Sequence, residues 1–244
     1  IRDILIITTP EDRETFKKLL GDGDKYGISL TYDIQPTPAG IAQAFIIGED
    51  FIGKDDVCLI LGDNIFYGKT LPSILKSTYN KVLNGNQSII FASRVNNPQR
   101  YGVIEFGDNN SLVSVEEKPS FPKSNYAVVG LYFYKNDVIE KSKKIMPSGR
   151  GELEITDINA LYLNENRLEV QKLDSVFWLD TGTHDSLVEA SNFIKTVENR
   201  EGKRVSCLEE IAFKYNYIDR KKLKQIISNY NNDYGKYLEE LLNE

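Results

Sequence analysis

The chain has 244 residues, 41% of them hydrophobic, and a formal charge of −6, enough apolar content for one large domain or a domain with an appendage. Lys and Arg are interspersed with Asp and Glu, which excludes the continuous basic surface that tracks nucleic acid, and with two unpaired-looking cysteines, Cys58 and Cys207, no signal-peptide pattern and no long apolar span, a cytoplasmic chain without a membrane partner is expected. The single histidine, His184, removes multi-histidine metal sites and Ser-His-Asp triads, so carboxylates, Lys and Arg must carry any catalysis.

Residues 4–9 form a continuous apolar, β-branched run, the pattern of a strand buried on both faces of a parallel sheet. Residues 11–20 carry Phe16, Leu19 and Leu20 at helical spacing, and Gly21-Asp22-Gly23 closes that helix. Leu30, Tyr32 and Ile34 alternate as a second strand, a stiff loop holds Pro36, Pro38 and Gly40, residues 41–51 read as helix and 57–61 as another buried strand. This alternation predicts a doubly wound α/β layer.

Further along, Leu71, Ile74, Leu75, Thr78 and Val82 share one helical face, with Pro72 in the first turn and Asn84-Gly85 at the end. A strand at 88–93 follows. Three strands, 102–106, 112–116 and 126–133, are then separated by turn residues, which predicts an antiparallel extension. Helices return at 157–163 and from Thr183 to Gly202. Leu223, Ile226, Ile227 and Tyr230, then Tyr237, Leu238, Leu241 and Leu242, form two amphipathic stripes, read as a packing face or as a subunit contact or lid.

Leu59-Ile-Leu-Gly-Asp63-Asn64 places a carboxylate at the end of a buried strand, where open α/β sheets bind ligands. Asp180, in Trp178-Leu-Asp-Thr-Gly182, sits in the same kind of place before a helix that Thr183 can cap. Two such acids suffice for one Mg²⁺ that takes its remaining ligands from phosphate and water; each alternatively caps a turn. Lys118, between Glu117 and Pro119, can neutralise a phosphate or form a surface ion pair. Arg150, flanked by Gly149 and Gly151, has a fork suited to phosphate, or is a plain loop arginine. His184 reads as a helix-start residue. The chemistry this set allows needs no general base, because a sugar 1-phosphate is already an anionic nucleophile toward the α-phosphorus of a nucleoside triphosphate.

Together these strings resemble the glucose-1-phosphate thymidylyltransferase family. The resemblance rests on Gln35-Pro36 with Gly40-Ile-Ala-Gln-Ala-Phe45, Leu61-Gly-Asp-Asn-Ile-Phe-Tyr-Gly68, Arg100-Tyr-Gly-Val103 and Glu116-Glu-Lys-Pro-Ser120. It continues through Lys123 to Val128, Gly149-Arg-Gly-Glu-Leu-Glu-Ile-Thr-Asp-Ile-Asn159, Trp178 to His184, Glu189 to Ile194 and Val205-Ser-Cys207. It implies a Rossmann-like doubly wound mixed sheet with an antiparallel sugar-binding extension over residues 1–194, and a C-terminal helical region over 195–244 for assembly and regulation. It also implies that Gln35 and the backbone at Gly40 read the base, that Asp63 and Asp180 hold Mg²⁺, and that Tyr101, Gly102, Glu117 and Val128 contact glucose. Lys118 and Arg150 would lie on the sugar phosphate. Tyr67, Gly68, Glu210, Ile211 and Lys214 match a second site for a dTDP-sugar feedback inhibitor, with Lys214 where arginine is more usual.

The implied partners are dTTP and glucose 1-phosphate, and the implied assembly is a homotetramer. The family begins with a Gly-Gly-x-Gly-Thr-Arg loop and a lysine that hold the triphosphate, and these do not precede Ile1; the chain is therefore expected to be a fragment. The alternative expectation is a non-catalytic remnant that binds dTDP-sugars. A glycosyltransferase with an Asp-x-Asp metal site is disfavoured, because Asp63 is followed by Asn64 with no acid two residues on.

Overall fold

The computed structural model describes residues 1–243. In chain order the elements are β1 (Asp3–Thr8), α1 (Arg13–Leu20), β2 (Ser29–Ile34), α2 (Gln43–Ile47), α3 (Glu49–Ile52), β3 (Val57–Ile60), β4 (Asn64–Tyr67), α4 (Leu71–Asn84) and β5 (Ser88–Arg94). They continue as β6 (Gly102–Phe106), β7 (Leu112–Glu117), β8 (Tyr126–Tyr134), α5 (Val138–Ser142), α6 (Ile155–Asn164), β9 (Leu168–Lys172), β10 (Phe177–Asp180), α7 (His184–Glu201), α8 (Leu208–Lys214), α9 (Arg220–Ile227) and α10 (Asp233–Glu240). Chain contacts divide these into two compact units, Ile1–Thr37 with the segment from Val197 onward, and Pro38–Thr196.

The larger unit, Pro38–Thr196, is built on a six-stranded sheet in the order β7-β6-β8-β5-β9, with β3 also paired to β8. β8 runs antiparallel to β3, β5 and β6, whereas β5 and β9 are parallel. Both parities of the central strands are apolar, and that is why the sheet is covered twice. Ile90, Ala92, Val128, Tyr132 and Tyr134 enter one core with Phe45 of α2, Val138 of α5 and Ile155, Ile158 and Tyr162 of α6. Ile89, Phe91, Val129, Leu131 and Phe133 enter the other with Val82 and the flanking Leu71, Ile74 and Leu75 of α4. Each fully buried side chain of this size stabilises the unit by roughly 2 kcal/mol. The Rossmann-like doubly wound reading holds, with β8 as an antiparallel member, and the strands from β6 to β8 form the expected antiparallel extension.

In the smaller unit β1 and β2 form a parallel pair. The three C-terminal helices close on a core of Tyr26, Cys207, Ala212, Ile218, Leu223, Ile226, Ile227, Leu238 and Leu241. Both amphipathic stripes are consumed there, so they are a packing face; Leu223 and Leu238 are wholly buried. An ionic knot, buried on the Glu209 side and partly exposed on the Lys25 side, ties this core to residues 24–26: Glu209 accepts from Lys25 Nζ at 2.9 Å and from Tyr234 Oη at 2.5 Å.

Three expectations change. Among the described residues β1 pairs with β2 alone, and Ile4 is exposed rather than sheet-buried; a continuous apolar run signals a need for cover without specifying what supplies it. The helix expected over 41–51 is two short helices parted at Gly48, whose amide bonds back to Ala44 O at 2.9 Å, because glycine is a weak helix former. The buried strand expected at 57–61 ends in an exposed Ile60.

Candidate active site

The site in the larger unit begins with two short strands. β4 and β10 pair antiparallel with Asn64 opposite Asp180. Just outside the ladder, Thr181 donates its N–H and its hydroxyl to the Asp63 carbonyl, each at 2.9 Å. The pairing brings two distant acids to the same end of the sheet. A Cβ built on Gly182 would lie 2.9 Å from Asp180 Oδ1 and 3.6 Å from Asp63 Oδ2, so both carboxylates face one small space left open because residue 182 has no side chain. Among the described residues, no group of three or more His, Cys, Asp or Glu side chains forms a metal cluster. Two carboxylate oxygens with room for water and phosphate suit Mg²⁺, which dehydrates reluctantly and rarely takes an all-protein cage.

Asp180 is held from several sides. Its Oδ1 accepts from Gly182 N at 2.6 Å, its Oδ2 from Tyr101 Oη at 2.9 Å, and Arg100 Nη2 lies 3.7 Å from Oδ2. It thus both caps its turn and faces the site. Burial, reinforced by the bond to Asp180, pushes the Tyr101 phenol up to about 12. The Tyr101 ring meets Trp178 edge-on at 5.1 Å. Thr183 and Ser186 exchange N-terminal bonds at the start of α7, Thr183 N–H to Ser186 Oγ at 3.0 Å and Ser186 N–H to Thr183 Oγ1 at 3.2 Å, the cap expected of Thr183.

Opposite the acids lies a polar wall. Glu117 ends β7 and accepts from Thr156 Oγ1 at 2.6 Å, while Gly102 of β6 stands in register with it. Burial, then the charges of Glu117 and Asp63, hold the Tyr132 phenol above its ordinary range. Lys118 has φ +44°, a left-handed conformation that costs a non-glycine residue about 1–3 kcal/mol, and its N–H is pinned to Tyr101 O at 3.0 Å. Its ammonium lies 3.9 Å from Glu117 and is half exposed. Arg150 Nη2 donates to both oxygens of Glu154 at 2.9 Å, with Glu117 at 3.4 Å and Glu152 at 3.8 Å. The bond to Glu154 raises the Arg150 pKa further and keeps the guanidinium charged.

Asp63, Tyr101, Gly102, Glu117, Lys118, Val128, Arg150 and Asp180 therefore line one cleft of about 330 Å³. Gly40 stands beside it, next to the lining residue Ile41. Its φ is +100° and a Cβ would lie 2.4 Å from Leu153 O, so only glycine fits. Gln35 belongs to the smaller unit, at the end of β2, its N–H bonded to Thr8 O at 2.8 Å. Tyr67 packs edge-on against Phe193 at 5.9 Å, and Gly68 lies close to Ser175 and Val176. In the smaller unit Glu210 is buried, bonded to Tyr237 Oη and to Lys214 Nζ, and Ile211 is exposed.

Glu154, Thr156, Gly182 and the amide of Asn64 are site residues that the pattern of acids and bases did not single out. The first two lie inside the Gly149–Asn159 string, and Asn64 is adjacent to Asp63, so the signal was proximity to a motif rather than residue chemistry.

A Rossmann-like sheet with paired acids at strand ends, a polar wall and the cations Arg100, Lys118 and Arg150 defines an enzyme of phosphoryl or nucleotidyl chemistry. The family model for nucleotidyl transferases matches residues 1–197. A glucose-1-phosphate thymidylyltransferase of Neisseria meningitidis is 52% identical over 99% of this chain and 84% of its own length. One from Mycobacterium tuberculosis is 50% identical over 99% and 83%. Among solved structures, a glucose-1-phosphate thymidylyltransferase from Bacillus anthracis in complex with a sucrose aligns with a TM-score of 0.71 and 41% identity, over 79% of this chain and 76% of that one. A UDP-glucose pyrophosphorylase complexed with UDP-glucose shares the fold, with a TM-score of 0.68 at 24% identity over 80% of this chain and 81% of that one. The chain belongs to the nucleotidyl transferase family, within the glucose-1-phosphate thymidylyltransferases.

Proposed function

We propose that this chain transfers a thymidylyl group from dTTP to glucose 1-phosphate, giving dTDP-glucose and pyrophosphate. The observation that carries the proposal is the convergence of Asp63 and Asp180 on the space beside Gly182, within the cleft that also holds Tyr101, Gly102, Glu117 and Val128. The relatives named above, glucose-1-phosphate thymidylyltransferases at 50% identity and more, support this choice of substrates.

In this mechanism a phosphate oxygen of glucose 1-phosphate forms the new bond to the α-phosphorus, and the bond from that phosphorus to the bridging oxygen breaks, releasing pyrophosphate. The nucleophile is already anionic, so no residue has to take its proton. The protein supplies in-line positioning and charge neutralisation. Asp63 and Asp180 would hold Mg²⁺, which when bound lowers the charge that the approaching phosphate must face. Glu117, fixed by Thr156, accepts from sugar hydroxyls. Backbone at Gly102 approaches the ring because nothing projects from residue 102. Lys118 and Arg150 face the sugar phosphate as a point charge and a fork. Gln35 offers a donor and an acceptor to the thymine edge. A homotetramer subject to feedback by a dTDP-sugar is the assembly we propose on family likeness.

The experiment is pyrophosphate release from dTTP and glucose 1-phosphate at varied Mg²⁺, with dTTP replaced in turn by UTP and CTP. Preference for dTTP with Mg²⁺-dependent turnover supports the proposal; binding of dTDP-sugars with no turnover would return the chain to the non-catalytic reading.

A further inference from the structure

Asn64 lines the cleft but has no part in the mechanism above, yet it joins three parts of the site. Its Oδ1 accepts from Gly130 N at 2.9 Å and from Trp178 Nε1 at 2.5 Å, and its Nδ2 donates to Asp63 Oδ1 at 2.7 Å. These bonds determine which way the amide points. Two N–H donors converge on one atom, so that atom must be the carbonyl oxygen, and the NH₂ group is left facing Asp63. The amide cannot flip without setting donor against donor.

The consequence falls on Asp63. With Oδ1 tied to Asn64, Oδ2 is the oxygen presented toward Gly182 and Asp180 Oδ1. Gly130 belongs to the same arrangement, because a Cβ there would lie 2.7 Å from Leu61 Cβ and 2.8 Å from Asn64 Cγ. β8 thus brings bare backbone up to the amide, β10 brings the indole, and β4 carries the amide itself.

We propose that Asn64 is a positioning residue that sets the orientation of the Asp63 carboxylate, so that one oxygen is reserved for the cation site. This deepens the reading given above and rests on it. Aspartate at this position would retain an acceptor for Gly130 and Trp178 while losing the donor to Asp63, which separates holding the fold from aiming the carboxylate.

The test compares Asn64→Asp and Asn64→Ala in the whole chain by thermal midpoint, turnover per folded protein, and Mn²⁺ quenching of Trp178, the chain's one tryptophan. If Asn64 aims Asp63, Asn64→Asp recovers midpoint relative to Asn64→Ala but stays at least ~10-fold below wild type in turnover, the loss on the scale of one misplaced preorganised group. Asn64→Ala, without any new charge, needs several-fold more Mn²⁺ for half-quenching in the absence of substrates. Wild-type turnover by Asn64→Asp, or an unshifted Mn²⁺ curve for Asn64→Ala, overturns the proposal. Should Asn64→Ala fail to fold, Asn64→Ser takes its place under the same criterion. Failure of the wild-type chain to release pyrophosphate would count against the reaction assignment instead, and the Mn²⁺ curves would still decide the role of Asn64.

Discussion

Tyr101 donates its phenolic hydrogen to Asp180 Oδ2 across 2.9 Å, so a residue that lines the cleft also steadies one of the two acids. Burial, and then that bond, keep the phenol protonated up to about 12. Tyr101→Phe should lower turnover by roughly 10–150-fold, the range expected when a hydrogen bond to a charged group, about 1.5–3 kcal/mol, is removed. Because the phenol stays protonated, the ratio of wild-type to variant rates should be flat from about pH 7 to 10. A pH–rate profile of both proteins checks this, and a ratio that collapses near pH 9 would count against it.

Lys118 combines a left-handed backbone with a charge at the cleft. Lys118→Gly relieves the backbone and Lys118→Ala does not, so the glycine variant should be more stable by about 1 kcal/mol. Both should show the same loss in kcat/KM for glucose 1-phosphate, since both lack the ammonium. Denaturant melts and steady-state kinetics on the pair separate strain from chemistry, and recovery of activity in the glycine variant would show that the ammonium is dispensable.

Gly130→Ala places a methyl carbon within 2.7 Å of Leu61 and 2.8 Å of the Asn64 amide. Overpacking of this kind costs about 1–3 kcal/mol, and the displaced amide should cost turnover as well. A variant with wild-type melting temperature and activity would mean that β3 and β8 separate more easily than their register suggests.

The smaller unit should be acid-sensitive. Burial opposes the charge of Glu209, but hydrogen bonds from Tyr234 and Lys25 outweigh it and hold its carboxyl below the usual value of 4.5. A carboxylate depressed in the folded state contributes stability that is present above the unfolded pKa and lost as pH falls through the folded one. Stability of the wild type should therefore drop below about pH 4.5, and Glu209→Gln should flatten that limb. At neutral pH Glu209→Ala should cost about 2–3 kcal/mol, less than a fully buried pair because Lys25 is partly exposed. Urea melts across pH 3–7 provide the check.

Long or strongly patterned elements were legible in the sequence. α4 falls where the spacing of Leu71, Ile74, Leu75, Thr78 and Val82 puts it, and the alternation of Leu30, Tyr32 and Ile34 is the half-buried pattern of β2. β4 and β10 were not legible, because four-residue strands such as Phe177–Asp180 carry no period and their partner is distant in sequence. Asp63 and Asp180 stood out by their place after apolar runs, but nothing local said that Gly182 would leave the space between them open. The roles of Asn64 and Glu154 depend on bonds to Gly130, Trp178 and Arg150, which are properties of the folded chain alone.

The most direct test is pyrophosphate release from dTTP and glucose 1-phosphate by wild type, Asp63→Asn and Asp180→Asn, with Mg²⁺ varied and folding confirmed by thermal midpoint. If the two acids share one cation, each variant should lose about 10²–10³-fold in turnover and the double variant should lose little more, because residues acting as a unit are not additive. Turnover by either folded single variant at the wild-type rate and Mg²⁺ dependence would contradict the assignment of Asp63 and Asp180 to a common site.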